Sequence, residues 1–172
     1  PLFDYPPYET VLASKLVDVA KFEKLDLLHV HYAIPHASAA YMAQQILAEE
    51  GIHIPFITTL HGTDITLVGR DNSFAPAITF AINKSNGVTA VSESLKNDTY
   101  EHFDIKNGVE VIPNFICPDH YLPRPEKNFR KDYAPNGERI VTHISNFRPV
   151  KRVEDVVRVF HKILEEVPAK LL

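Results

Sequence analysis

The chain has 172 residues, 45% of them hydrophobic and 23% charged, which places it among globular domains and excludes a disordered or low-complexity tract. A net charge of −4 gives no nucleic-acid signature. No stretch approaches the eighteen or so apolar residues of a membrane helix, so neither nucleic acid nor stable membrane insertion is expected.

The charge is uneven. Residues 1–122 carry 7 Lys/Arg against 15 Asp/Glu, and residues 123–172 carry 11 against 7, which suggests two modules with different partners. The single cysteine, Cys117, precludes an internal disulfide and fits a reducing, cytoplasmic setting. The chain lacks an initiator Met and ends on PAKLL, the opening of a strand, so a piece of a longer protein is expected.

After a Pro-rich start, residues 8–24 have helical periodicity through Val11, Leu12, Leu16, Val19 and Ala20. LDLLHVHY (25–32) is a nearly continuous apolar run, as expected for a strand buried on both faces. Residues 35–50 suit a helix with Pro35 in its first turn and Gly51 as its stop. IPFITTLH (54–61) is the next strand, 62–73 a loop, and 74–86 a mostly apolar helix that could serve as core or as a homo-oligomer interface. GVTAVS (87–92) is a strand ending on Ser92, a candidate N-cap for the helix that follows. VEVIPN (109–114) is another strand. Residues 115–139 hold four prolines without a clear period and suggest a linker or surface crossing. RIVTHIS (139–145) opens a further strand, and 152–167 is a strongly amphipathic helix ended by Pro168.

Strands that alternate with helices predict parallel sheets with helices on their faces, an α/β class. The break at 115–139 predicts one α/β domain followed by the opening of a second. A single (β/α)₈ barrel is the rival, but this chain is short for one.

Ligands of open parallel sheets bind beyond the carboxyl ends of the strands, and three motifs lie there. HVHYAIPH (29–36) puts His29 and His31 on the same face of a strand, where both could ligate one metal. Such a site needs further ligands from other strand ends. His61 and Asp64 could be drafted, but no HExxH and no Cys set accompanies them. The plainer reading makes both histidines hydrogen-bonded structural groups under a helix layer. Tyr32 faces away from them at the strand's exit.

TTLHGTD (58–64) places His61, a permissive Gly62, Thr63 and Asp64 in the turn after a strand. The hydroxyl and carboxylate could simply cap that turn, which leaves the His-Gly pair at the mouth of the sheet unexplained. ISNFRPVKRVED (144–155) sets Arg148, Lys151 and Arg152 before a helix N-terminus, an anion site suited to a diphosphate; a solvated basic loop is the bland alternative. No Walker A and no GxGxxG is present. No carboxylate pair stands at the strand ends, against a two-acid glycosidase.

These motifs in this order resemble the retaining glycosyltransferases of family four, the two-Rossmann-domain GT-B enzymes. The resemblance covers nearly all of the chain: HVHYAIPHA, ITTLHGTDITLVG, VTAVSESL, VEVIPN and HISNFRPVKRVEDV. The first, second and last motifs are most similar to members that join N-acetylglucosamine to L-malate in bacillithiol biosynthesis. The resemblance implies residues 1–122 as the latter part of an acceptor-binding domain, 123–139 as linker, and 140–172 as the start of a nucleotide-sugar-binding domain.

It implies that His61 contacts the donor sugar and shapes the reaction centre. Tyr32, Thr63 and Asp64 would serve the acceptor, and Arg148 and Lys151 would hold the leaving diphosphate. The expected partners are UDP-N-acetylglucosamine and a small hydroxy acid, with no metal and no cofactor. A lipid-linked or polysaccharide acceptor is the variant of the same chemistry. The sequence departs from the family's basic loop, which has an Arg five residues before the Lys and a Gly after it; here those positions are Asn146 and Arg152. The family's N-terminal Gly-rich loop and late donor-gripping carboxylate motif lie outside this chain, so the 172 residues alone are expected not to turn over.

Overall fold

The computed structural model describes residues 7–67, 71, 73–121 and 129–172. The first six residues of the Pro-rich start, and 122–128 with the expected boundary at 122/123, lie outside the described residues. The chain divides into two compact units, Pro1–Phe115 and Ile116–Leu172.

In the first unit the order is α1 (Tyr8–Glu23), β1 (Leu28–His31), a wide π-helical turn (Ala33–Ala37), α2 (Ser38–Glu49), β2 (Phe56–Leu60), a second wide turn (Thr63–Leu67), α3 (Ala75–Lys84), β3 (Gly87–Ala90), α4 (Glu93–His102) and β4 (Val109–Val111). The four strands form one parallel sheet in the order β1-β2-β3-β4, with Leu28 opposite Phe56, Thr58 opposite Val88 and Val88 opposite Val109. Every strand-to-strand connection carries a helix, as parallel neighbours require.

The local signals act as expected at several boundaries. α1 stops at Lys24, which turns into the left-handed region and returns its N–H to Ala20. Pro76 sits in the first turn of α3, where a missing N–H costs nothing. Ser92 caps α4 by accepting the Leu95 N–H at 3.1 Å.

Two apolar clusters form the core. One joins Leu28 and Phe56 to Val17, Ala43 and Leu47 of α1 and α2. The other joins Leu60, Val88 and Val109 to Ile78, Ile82 and Leu95 of α3 and α4. These strand residues all lie on one face of the sheet, because the pleat alternates with period two and the register keeps them in line.

The opposite face carries His29, His31, Ile57, Thr59, Thr89 and Glu110, and both histidines are exposed. The expectation of a strand buried on both faces therefore fails for β1: Leu28 and Val30 point inward and His29 and His31 outward, and the histidines lie outside the helix layer rather than beneath it.

The second unit contains a short helix, α5 (Arg130–Tyr133), then β5 (Arg139–Val141), α6 (Val153–Glu166) and β6 (Ala169–Leu171). β5 and β6 pair in parallel, so this is one βαβ unit. α6 is amphipathic, yet none of its residues is fully buried. Together the two parallel sheets make the chain α/β, as its alternating pattern predicts.

Candidate active site

The exits of β1 and β2 bring the aromatic residues of two motifs together. Their register sets His31 beside Thr59, which places His61 one step beyond β2 on the same side. His31 Nδ1 and His61 Nε2 share a 2.7 Å hydrogen bond. The His31 ring stacks on His29 at 4.8 Å between centroids, and His29 Nε2 bonds Thr59 Oγ1 at 2.8 Å. Thr59 Oγ1 in turn bonds Thr89 Oγ1 at 2.7 Å, which carries the network to β3.

Tyr32 departs from the simple alternation. Its backbone has φ 77° and ψ 138°, a combination rarely adopted by a residue with a side chain. Tyr32 thus does not continue the strand's pleat away from the histidines. Its ring comes to 5.2 Å from that of His61, and to 6.1 Å from that of His36.

His36 is held by its own bond from Nδ1 to the His31 carbonyl at 2.5 Å. A carbonyl only accepts, so His36 carries a proton on Nδ1, and when neutral its Nε2 is free to accept from the Tyr8 hydroxyl 3.5 Å away. Tyr8 is a member of this cluster that sequence spacing does not single out, whereas His36 closes the HVHYAIPH motif. Partial desolvation, then the neighbouring His29, His61 and His36 rings, hold the His31 imidazole below its ordinary pKa.

The turn after β2 has a different internal logic. Gly62 has φ 109°, a conformation that favours glycine, while a Cβ there would make only ordinary contact with Leu95. Glycine is needed here for the direction of the chain rather than for room. The Gly62 carbonyl accepts from the Ile65 and Thr66 N–H groups and from the Thr66 hydroxyl.

Asp64 is 2% exposed. Its Oδ2 accepts the Ala33 N–H at 2.7 Å and its Oδ1 accepts the Gly62 N–H at 3.2 Å. The sequence suggested Asp64 as an acceptor ligand; the structure turns its carboxylate inward, where it ties the exit of β1 to the exit of β2. Thr63, by contrast, is exposed and makes no side-chain hydrogen bond among the described residues. Tyr32, His61 and Thr63 thus lie at adjoining strand ends, with Asp64 beneath them.

No group of three or more His, Cys, Asp or Glu side chains is arranged to hold a metal ion among the described residues. His31 and His61 instead direct ring nitrogens at each other, a bond that occupies the lone pair one of them would offer to a metal.

In the second unit a short 3₁₀ turn, Pro149–Lys151, leads into α6. Arg148 and Lys151 are exposed and form no side-chain ion pair among the described residues. Arg152 is committed to Asp155, with Nε 2.5 Å from Oδ2, and Asp155 also receives Arg158 at 3.0 Å. Those arginines hold the Asp155 carboxyl below its usual pKa. Arg148 lines a hollow of about 590 Å³ with Phe147, Pro149 and the first turn of α6, while Lys151 lines the neighbouring hollow beside Val141 and Phe160. Arg148 and Lys151 thus flank one short turn and line adjoining hollows that share Arg152 and Asp155.

The comparisons with known proteins decide the family. A model described as Glycosyltransferase Family 4 matches residues 1–120. The chain belongs to glycosyltransferase family 4. It is 51% identical over 172 residues to N-acetyl-alpha-D-glucosaminyl L-malate synthase of Bacillus anthracis, covering 99% of this chain and 44% of that protein. It is 27% identical to an uncharacterized glycosyltransferase of Methanocaldococcus jannaschii, over 92% of this chain and 42% of the relative. A putative teichuronic acid biosynthesis glycosyltransferase of Bacillus subtilis is 31% identical over 90 residues, 51% of this chain.

Among solved structures, sucrose-phosphate synthase from Thermosynechococcus elongatus superposes with a TM-score of 0.67 over 97% of this chain and 43% of that one. At 16% identity this likeness shows a shared fold. The family-4 chain spans less than half the length of the relatives it matches.

Proposed function

We propose that the protein containing this chain transfers N-acetylglucosamine from UDP-N-acetylglucosamine to L-malate with retention at the anomeric carbon, in the cytoplasm, as a step of bacillithiol biosynthesis. The observation that carries this reading is the 51% identity to the L-malate synthase across 99% of the chain. The site geometry supports it: His61, Tyr32 and Thr63 stand at the carboxyl ends of adjoining parallel strands, where α/β sheets hold ligands.

In the proposed reaction the bond between the sugar's anomeric carbon and the diphosphate oxygen breaks, the malate hydroxyl oxygen forms the new bond to that carbon, and the hydroxyl proton leaves with the departing diphosphate. Negative charge grows on the departing UDP. Arg148 and Lys151, free of carboxylate partners among the described residues, stabilise it. His61 packs against the sugar and shapes the reaction centre. Tyr32 and Thr63 contact the acceptor, and Asp64 positions both turns from below. No metal is assigned a role, because the leaving charge is met by side chains. More than half the length of the synthase-like relative lies outside this chain, so the 172 residues alone do not turn over.

The similarity to a teichuronic acid biosynthesis glycosyltransferase favours a polysaccharide acceptor as the second reading. The test is release of UDP by the full-length protein with EDTA present and an acceptor panel. Release that depends on L-malate supports the assignment; release with a saccharide acceptor alone supports the second reading.

A further inference from the structure

We infer that His31 is a positioning residue for His61, and that the bond between them restricts His61 to presenting Nδ1 to a ligand. The catalytic meaning of this inference rests on the proposed transferase function; the geometric part does not.

A hydrogen bond between two imidazoles needs one donor and one acceptor. With both rings neutral, two arrangements satisfy the 2.7 Å contact. His61 donates from Nε2 and keeps a bare Nδ1, or His31 donates from Nδ1 and His61 carries its proton on Nδ1. In both, His61 Nε2 is occupied. The tautomer of a histidine is set by what its other nitrogen bonds, and here that partner is His31.

The His31 ring is itself held from several sides. β1 fixes its backbone opposite Thr59, and its carbonyl accepts the His36 Nδ1 proton. Its ring lies on His29, which Thr59 anchors. The network therefore runs from the sheet through His29 and His31 to His61, and no member of it need touch substrate except His61. Protonation of both rings would turn both facing nitrogens into donors and break the bond, whereas one added proton leaves one donor and one acceptor.

The atom that matters is Nδ1 of His31, which lies as far along the side chain as the terminal atoms of Asn. Asn at position 31 places an amide atom there, whereas Gln matches the farther Nε2 and overshoots. A loss due only to altered packing would affect the two variants alike.

The experiment uses the full-length protein as wild type, His31→Asn and His31→Gln. It measures kcat and KM for transfer to L-malate, and the ring-nitrogen NMR signals of ¹⁵N-labelled His61. We expect His31→Gln to lower kcat about tenfold with a smaller change in KM, and His31→Asn to recover most of it. The His61 Nε2 signal should report a hydrogen bond in wild type and His31→Asn and lose it in His31→Gln. Equal kinetics for the two variants would overturn the positioning role. If wild type transfers sugar to no acceptor, the proposed function falls and the spectra alone decide. A His61 signal unaltered by His31→Gln would then overturn the inference, and a signal lost in His31→Gln but kept in His31→Asn would sustain it.

Discussion

The Asp64 carboxylate holds the backbone of Ala33. One oxygen takes the Ala33 N–H at 2.7 Å and the other takes the Gly62 N–H at 3.2 Å, so one buried side chain joins two strand exits. A buried amide left without its partner loses about 1–3 kcal/mol. Asp64→Ala should therefore destabilise the chain by an amount in that range, with Asp64→Asn in between, because its amide retains one acceptor oxygen. Urea unfolding midpoints check this. A wild-type midpoint for Asp64→Ala would show that the clamp contributes nothing.

Tyr32 separates backbone strain from side-chain use. Its φ of 77° is a conformation that glycine adopts freely. Tyr32→Gly should unfold at a higher temperature than Tyr32→Ala, by roughly 1 kcal/mol of relieved strain, while both lose the ring beside His61. Both variants should lose acceptor-dependent transfer in the full-length protein. Melting curves and UDP release read the two effects separately, and the reverse order of stability would contradict the strain assignment.

Acid should weaken the cluster. The groups that face His31 are His29 on its own strand, His36 from the turn that follows, and His61 from the exit of β2; Tyr32 lies against His36 and His61, and the Tyr8 hydroxyl meets His36. His31 is held below its ordinary pKa, so the unfolded chain binds that proton more readily than the folded one. The sign follows: this contribution is fully present above the unfolded imidazole value of about 6.5 and is lost as pH falls toward the lower folded value. His31→Asn should flatten the stability profile across that window. An unchanged profile would contradict the assignment.

The cations of the second unit should differ in weight. Arg148→Gln and Lys151→Gln should each lower kcat about a hundredfold if they meet charge formed only in the transition state. Arg152→Gln should cost much less, since Arg152 is already committed to Asp155. Steady-state kinetics of the full-length variants decide it. Equal losses at all three positions would indicate a general basic surface instead.

Much of this was legible in the sequence, for physical reasons. Apolar periodicity located α1, α2, α3 and α6 within a few residues, and Ser92 marked the start of α4 because a hydroxyl there can accept an N–H of the first turn; the four-residue α5 is too short to show a period and fell within the expected linker. The apolar runs outlast the strands: past β4, Ile112 still donates its N–H to the Ala90 carbonyl, but Pro113 has no N–H with which to continue the ladder. The exposed histidine face was not foreseen: it depends on the described helices packing on the other side of the sheet, which no single strand encodes.

The direction of Tyr32 escaped for another reason. Alternation predicts a side chain only while the backbone stays extended, and Tyr32 leaves that region. Asp64 reads as an acceptor ligand because it is a carboxylate in the turn after a strand, at the end of the sheet where ligands bind. Its inward turn follows from the wide turn at Thr63–Leu67, a geometry without a distinctive residue pattern.

The central claim meets its most direct test in a single assay: UDP release by the full-length protein from UDP-N-acetylglucosamine, with and without L-malate, in EDTA. The account predicts release that requires L-malate and persists in the chelator. Release indifferent to L-malate, or abolished by EDTA and restored by a divalent metal, would contradict it.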